Sequence, residues 1–105
     1  MNEPRILVAL KLRSYRETIA EVMGILAPEA EVLTSEPEHL DREVRNLGPR
    51  LVICSRITPA VEDAAPFWVE MYRDHGACST MKTPDRRWEI EDLELSDLRS
   101  MLTLL

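Results

Sequence analysis

Apolar residues in this chain fall into two patterns, short unbroken runs and stripes spaced by three or four, and these alternate through the first half. Arg5–Leu10 (RILVAL) is a nearly continuous apolar run, the form expected of a strand covered on both faces in a parallel sheet. Ser14-Tyr15-Arg16-Glu17 then reads as a capping box, with the Ser14 hydroxyl accepting from a first-turn N–H while Glu17 reaches back to the cap. Ile19, Val22, Met23 and Leu26 follow at helical spacing on one stripe, and Pro28 stops the helix. Glu31–Thr34 (EVLT) predicts a second strand. Ser35-Glu36-Pro37-Glu38 starts another helix, with proline in its first turn; Leu40, Val44 and Leu47 form the stripe, and Gly48-Pro49 ends it. Leu51–Ser55 (LVICS) is a third apolar strand. Strand, helix, strand, helix, strand at this spacing predicts right-handed crossovers and a parallel sheet in the order second, first, third.

The second half is less regular. Thr58–Pro66 holds two prolines and no helical stripe, and reads as a loop. A parallel return needs a crossover of about a dozen residues or more, usually helical. This connection reads as too short and too broken for one. Phe67–Tyr72 (FWVEMY) is strand-like, Arg73-Asp74-His75-Gly76 resembles a turn, and Ala77–Met81 is placed to pair back as an antiparallel hairpin. Thr83–Arg87 is a polar loop and Trp88–Ile90 one more short strand. Ser96 is expected to cap a final helix whose buried stripe is Leu98, Met101, Leu102 and Leu105. The fold expected is therefore α/β: a three-layer α/β/α arrangement with a parallel β-α-β-α-β core, an added antiparallel hairpin and a C-terminal helix, all in one domain over residues 1–105.

Composition narrows the function classes. Hydrophobic residues make up 45% and charged residues 30% of the 105, a globular balance. The formal net charge of −6 repels phosphate backbones and argues against nucleic acid as a partner. No segment approaches the roughly 18 consecutive apolar residues of a membrane span. The run Ile6–Leu10 is too short for a signal peptide and no cleavage-like site follows it. Cys54 and Cys78 stand far apart without C-x-x-C or C-x-x-H spacing, which disfavours structural zinc and suits two reduced thiols in a cytoplasmic protein. The three glycines, Gly24, Gly48 and Gly76, are widely separated, so there is no glycine-rich phosphate loop. No cofactor is expected.

The segment Ile6–Ile19 (ILVALKLRSYRETI) and the segment Pro49–Pro59 (PRLVICSRITP) resemble the receiver domain of bacterial response regulators over about the first 60 residues. In that family an apolar first strand leads into two acidic residues that hold Mg²⁺, and the third strand ends in the phosphoaccepting aspartate. Here the acidic pair is replaced by Leu10 and Lys11, and the aspartate by Ser55. Leucine and lysine offer no oxygen ligand to Mg²⁺, and the carboxylate nucleophile is missing. The later family lysine falls at Lys82, before Thr83 and Pro84, but the interval from Ser55 to Lys82 is about one α-β-α stretch too short. The resemblance implies either a degenerate, shortened receiver-like domain or an independent flavodoxin-like miniature, with signalling as its setting.

Several side chains invite chemistry and also have plainer roles. His39 and Glu43, four apart on the second helix, share a face; as two potential ligands without a third they read as a solvated pair. Asp74 and His75 suit the chemistry of a hairpin turn. Lys11, Cys54, Ser55 and Arg56 gather where open α/β sheets place ligands, at strand carboxyl ends, and form the candidate anion pocket. Ser55 lacks the G-x-S-x-G elbow of a nucleophilic serine. Cys54 becomes a reactive thiolate only in an electropositive setting and is otherwise core. Phe67, Trp68, Tyr72 and Trp88, most of the aromatic residues, form the candidate interface. Only the second helix is counted for one sheet face, and a half-bare apolar face favours a homodimer or a protein partner. The function expected is a non-catalytic, receiver-like interaction or regulatory module; the alternative is a small ligand-binding protein or enzyme using the anion pocket.

Overall fold

The computed structural model describes residues 3–72, 76 and 78–105. The chain is mixed α/β, and its described residues form one six-stranded sheet in the order β2-β1-β3-β4-β5-β6 and four helices. The apolar runs become strands β1 (Arg5–Ala9), β2 (Glu31–Thr34) and β3 (Leu51–Cys54). They pair in parallel, Leu7 with Leu33 on one side and with Val52 on the other. Between them run α1 (Arg13–Leu26) and, after a single 3₁₀ turn at Pro37–His39, α2 (Leu40–Leu47). Gly48 closes α2 in the left-handed conformation at φ 57°, its N–H bonded to the Val44 carbonyl at 3.1 Å.

The segment expected to be a loop, Thr58–Pro66, holds helix α3 (Pro59–Ala64) instead. Thr58 is its cap, the hydroxyl oxygen accepting from the Val61 N–H at 3.3 Å. Pro59 sits in the first turn, where a missing N–H costs nothing. Val61, fully buried, packs α3 onto the sheet. The connection Ser55–Pro66 thus reaches the lower limit for a crossover. It delivers β4 (Phe67–Glu70) parallel to β3, with Cys54 opposite Glu70. The parallel block therefore has four strands rather than three. The hairpin partner of β4 is β5 (Cys78–Lys82), and β6 (Arg87–Glu91) pairs antiparallel with β5. The Arg73–Gly76 turn, and Asp74 and His75 within it, lie outside the described residues except for Gly76.

The helix starts differ from the sequence reading. The cap of α1 is Leu12, without a side-chain bond; Glu17 instead accepts from Arg13 Nε at 3.1 Å. The Ser35 hydroxyl donates to the Glu36 carbonyl rather than capping the 3₁₀ turn. Helix α4 (Leu95–Leu102) is capped by Glu94, not Ser96: Asp97 accepts from the Glu94 N–H at 2.8 Å in a reciprocal capping box.

Successive residues of β1 belong to opposite core clusters. Ile6, Val8 and Leu10 join Ile19 and Met23 of α1 and Leu98 and Met101 of α4. Leu7 and Ala9 join Leu40 and Val44 of α2 and Val61 of α3, together with Val52, Cys54 and Trp68. The face expected to be half bare is therefore covered by two helices, because α3 adds to α2. The α2 side of β6 is bare, and that surface is polar: Arg87, Glu89 and Glu91 are exposed while Trp88 and Ile90 pack toward the other face. The outer strands, β2 and β6, are short and end in exposed residues.

Candidate functional site: the cleft at the strand carboxyl ends

From β1 the chain leaves to β2 on one side, while β3 takes the other side of β1. The loops after β1 and β3 consequently part, and a crevice opens between them, as it does in open α/β sheets generally. The cleft here has a volume of about 900 Å³. Its floor and walls include Ala9, Leu10, Met71 and Leu40, and Leu12, Tyr15 and Tyr72 form an apolar rim. Lys11, Ser55, Arg56, Thr58 and Glu38 supply its polar groups.

Three side chains tie the surrounding loops together. Ser55 Oγ accepts the Lys11 backbone N–H at 3.0 Å, joining the ends of β1 and β3. Arg16, buried on α1, donates through Nη1 to the carbonyls of Leu10 and Ser35, both at 3.3 Å, joining the loops after β1 and β2. Glu70, buried at the end of β4, accepts the Ile57 N–H at 2.8 Å and so anchors the loop after β3.

Tyr72 stands out in its backbone. Its φ of 49° places a bulky residue in the left-handed region, which disfavours any side chain larger than glycine's. Three contacts hold it there. Its N–H donates to Ser79 Oγ at 3.0 Å, its hydroxyl donates to the Leu93 carbonyl at 3.3 Å, and its ring lies 6.5 Å from that of Tyr15 at 49°. Partial burial, then the neighbouring Tyr15, push the Tyr72 phenol above its ordinary pKa.

Of the four residues expected in the pocket, Lys11, Ser55 and Arg56 line the cleft and Cys54 does not. Cys54 faces the α2 side of the sheet, fully buried. Burial first, and the Glu70 carboxylate second, push its thiol up to about 12, against a weaker pull from the Arg56 N–H. A thiol held neutral this firmly is not a nucleophile at physiological pH. The Ser55 oxygen is engaged by a backbone N–H, and among the described residues the lining carries one carboxylate and no histidine. These groups suit recognition better than acid–base work. Glu38 is charged at neutral pH: its own backbone N–H, then Glu36, then His39 and Arg16 lower its carboxyl pKa.

The four aromatics expected at an interface separate. Phe67 and Trp68 are core residues, at 5% and 0% exposure, and do not present a surface. Tyr72 lines the cleft. Trp88 is half-buried against the α1 and α4 cluster, with the Arg86 guanidinium 4.1 Å from its ring centroid. His39 faces Glu36 at 3.9 Å, and Glu43 faces Arg42. Lys82 pairs with Trp68, which pairs with Val52, so it sits two residues back from the end of β3, away from the cleft. Its ammonium donates to the Thr83 carbonyl.

Tyr15, Arg16, Glu38 and Tyr72 are the site residues that sequence reasoning did not place there. One signal was present. In a sheet ordered second, first, third, the loop after β2 opens at the same edge as the loop after β1, which brings Pro37-Glu38 to the mouth. Comparison with protein-family models, with curated proteins and with solved structures finds no match to this chain.

Proposed function

We propose that the chain is a receiver-like, three-layer α/β/α module that acts by binding and performs no phosphoryl transfer. The observation that supports this most directly is the bond between Ser55 Oγ and the Lys11 N–H. It occupies the junction where a phosphate-accepting centre needs clustered acids, and the adjoining Leu10 is 2% exposed. A hydroxyl and a backbone amide do not seat Mg²⁺. The partner on this reading is a second copy or another protein. Leu12, 67% exposed, and Tyr15 offer apolar contact surface at the mouth. No helix among the described residues is long and apolar enough to cross a membrane, and the reading places the protein in the cytoplasm without nucleic acid.

The test is incubation with Mg²⁺ and either acetyl phosphate or beryllofluoride, read by intact mass and thermal melting. No mass gain and no Mg²⁺-dependent shift in melting temperature are expected. A stable adduct on Ser55, or on any other residue, would overturn the proposal. Sedimentation that shows a monomer at high concentration removes the homodimer and leaves a different protein as partner.

A second reading, binding of a small ligand, is favoured by the cleft itself. It is concave, mostly apolar, and has a few converging polar groups, which is the usual composition of small-molecule sites.

A further inference from the structure

We propose that the cleft takes a small monoanion with a flat apolar body, of which an aromatic carboxylate is the simplest example; this rests on the small-ligand reading. The exposed Lys11 argues for one negative group. Lys11 is exposed at the mouth, and its side chain makes no ion pair or hydrogen bond among the described residues. Arg56 lines the same mouth, and Glu38 is the carboxylate among the described lining residues. Lys11 thus sets an exposed positive charge at the mouth of a cleft in a chain whose formal net charge is −6. One anionic group gains from Lys11. A nucleotide would bring further charges toward Glu38 and into the field of the acidic chain, and among the described residues no glycine lines the cleft to let backbone amides cradle phosphates.

The apolar part of the site argues for a ring. Leu10 and Met71 provide apolar surface beneath the mouth, and the tyrosine pair stands beside it. The hydroxyl of Tyr72 is held by the Leu93 carbonyl, so its ring is a fixed wall. Tyr15, 39% exposed on the first turn of α1, offers a face for offset or edge stacking. The left-handed backbone of Tyr72 is an independent pointer to the same place. Conformational strain on a bulky residue persists where the surroundings impose it, and such residues gather at ligand sites.

The probes are 1-naphthoate, its neutral isostere 1-naphthamide, acetate and ADP, titrated into the full chain by calorimetry and by amide chemical shifts. Naphthoate is expected to saturate below millimolar concentration and to shift Lys11, Tyr15 and Ser55. Naphthamide and acetate should bind about tenfold more weakly or worse, since each lacks one half of the recognition. ADP should not saturate. Lys11→Met is expected to cost naphthoate about tenfold and to leave naphthamide unchanged, whereas Tyr15→Ala should weaken both. Lys11 is exposed and unpaired among the described residues, so its variant should melt with the parent. The inference is overturned by tighter binding of ADP than of naphthoate, or by equal affinity for naphthoate in Lys11→Met. Saturation by ADP or acetate alone, with shifts at the mouth, removes this ligand class and keeps the small-ligand reading. Silence from all four probes, with the fold intact, removes both.

Discussion

Strand β3 buries all four of its residues, Leu51–Cys54, while β6 buries none fully and alternates exposed with half-buried along Arg87–Glu91. The two strands belong to one sheet but to regions with different surroundings. Around β3, helices pack on both faces, so every position is apolar and one core cluster lies on each side. Around β6, one face meets the α1 and α4 cluster and the other meets water. The parallel block therefore carries the core, and its strand ends form the cleft; the meander of β5 and β6 extends the sheet and closes the α4 side. Stability and recognition should be concentrated in the first region.

The cysteines probe this contrast most sharply, since each region holds one. Cys78 is exposed on β5 and Cys54 is buried on β3. An uncharged disulfide reagent at pH 8 should consume one thiol per chain rapidly. The second should react about a thousandfold more slowly or worse, through unfolding, and be released by denaturant. Two equally fast thiols would break the comparison. The same burial has an alkaline signature. The unfolded thiol ionises near its ordinary 9.0 and the folded one near about 12, so the unfolded state loses its proton first. This contribution to stability is fully present below pH 9.0 and is lost progressively toward about 12. Cys54→Val should flatten that decline in urea melts measured across the alkaline range.

Core truncation comes next in size. Ile53→Ala, at 0% exposure in β3, should cost about 2–5 kcal/mol by chemical denaturation. Ile90→Ala, half-buried in β6, should cost about 1 kcal/mol, with less surface withdrawn from water. Equal losses would show that the two regions share the core evenly. Arg16→Met keeps much of the side chain's apolar stem and strips the Leu10 and Ser35 carbonyls of their guanidinium donor. A loss of about 1–3 kcal/mol is expected, read as a lower melting temperature. Glu89→Lys, exposed on the wet face of β6, should change stability by no more than about 0.5 kcal/mol.

The same contrast governs how far the sequence can be read. Strands β1 and β3 were legible because burial on two faces leaves an unbroken apolar run, and α2 because its stripe ends at Gly48-Pro49. Helix α3 was not. Pro59 and Pro66 read as breakers, yet Pro59 follows a capping Thr58 and so marks a beginning, and one apolar side chain, Val61, is all that a helix this short needs to dock. The starts of α1 and α4 lie two positions before Ser14 and Ser96, because the caps that form, Leu12 and Glu94, are not residue types that mark a cap in the sequence. In the cleft, Lys11, Ser55 and Arg56 were legible as residues at strand ends. Tyr15 and Glu38 depend on how the loops converge, and the left-handed backbone of Tyr72 is not written in any short motif. Trp68 appeared as interface because its composition suits one; its burial follows from β4 lying inside the sheet, under α3.

The short outer strands have a consequence for the protein at high concentration. A sheet with open borders can recruit further strands from neighbouring chains, the route by which fibrils grow. Extension along β6 would bring Arg87, Glu89 and Glu91 of each arriving chain into a stacked and partly dried array, with like charges repeated at every layer. On the far border, β2 offers four residues and begins at Glu31. Both margins thus discourage stacking, and solutions of the folded chain should remain clear and free of filaments on storage.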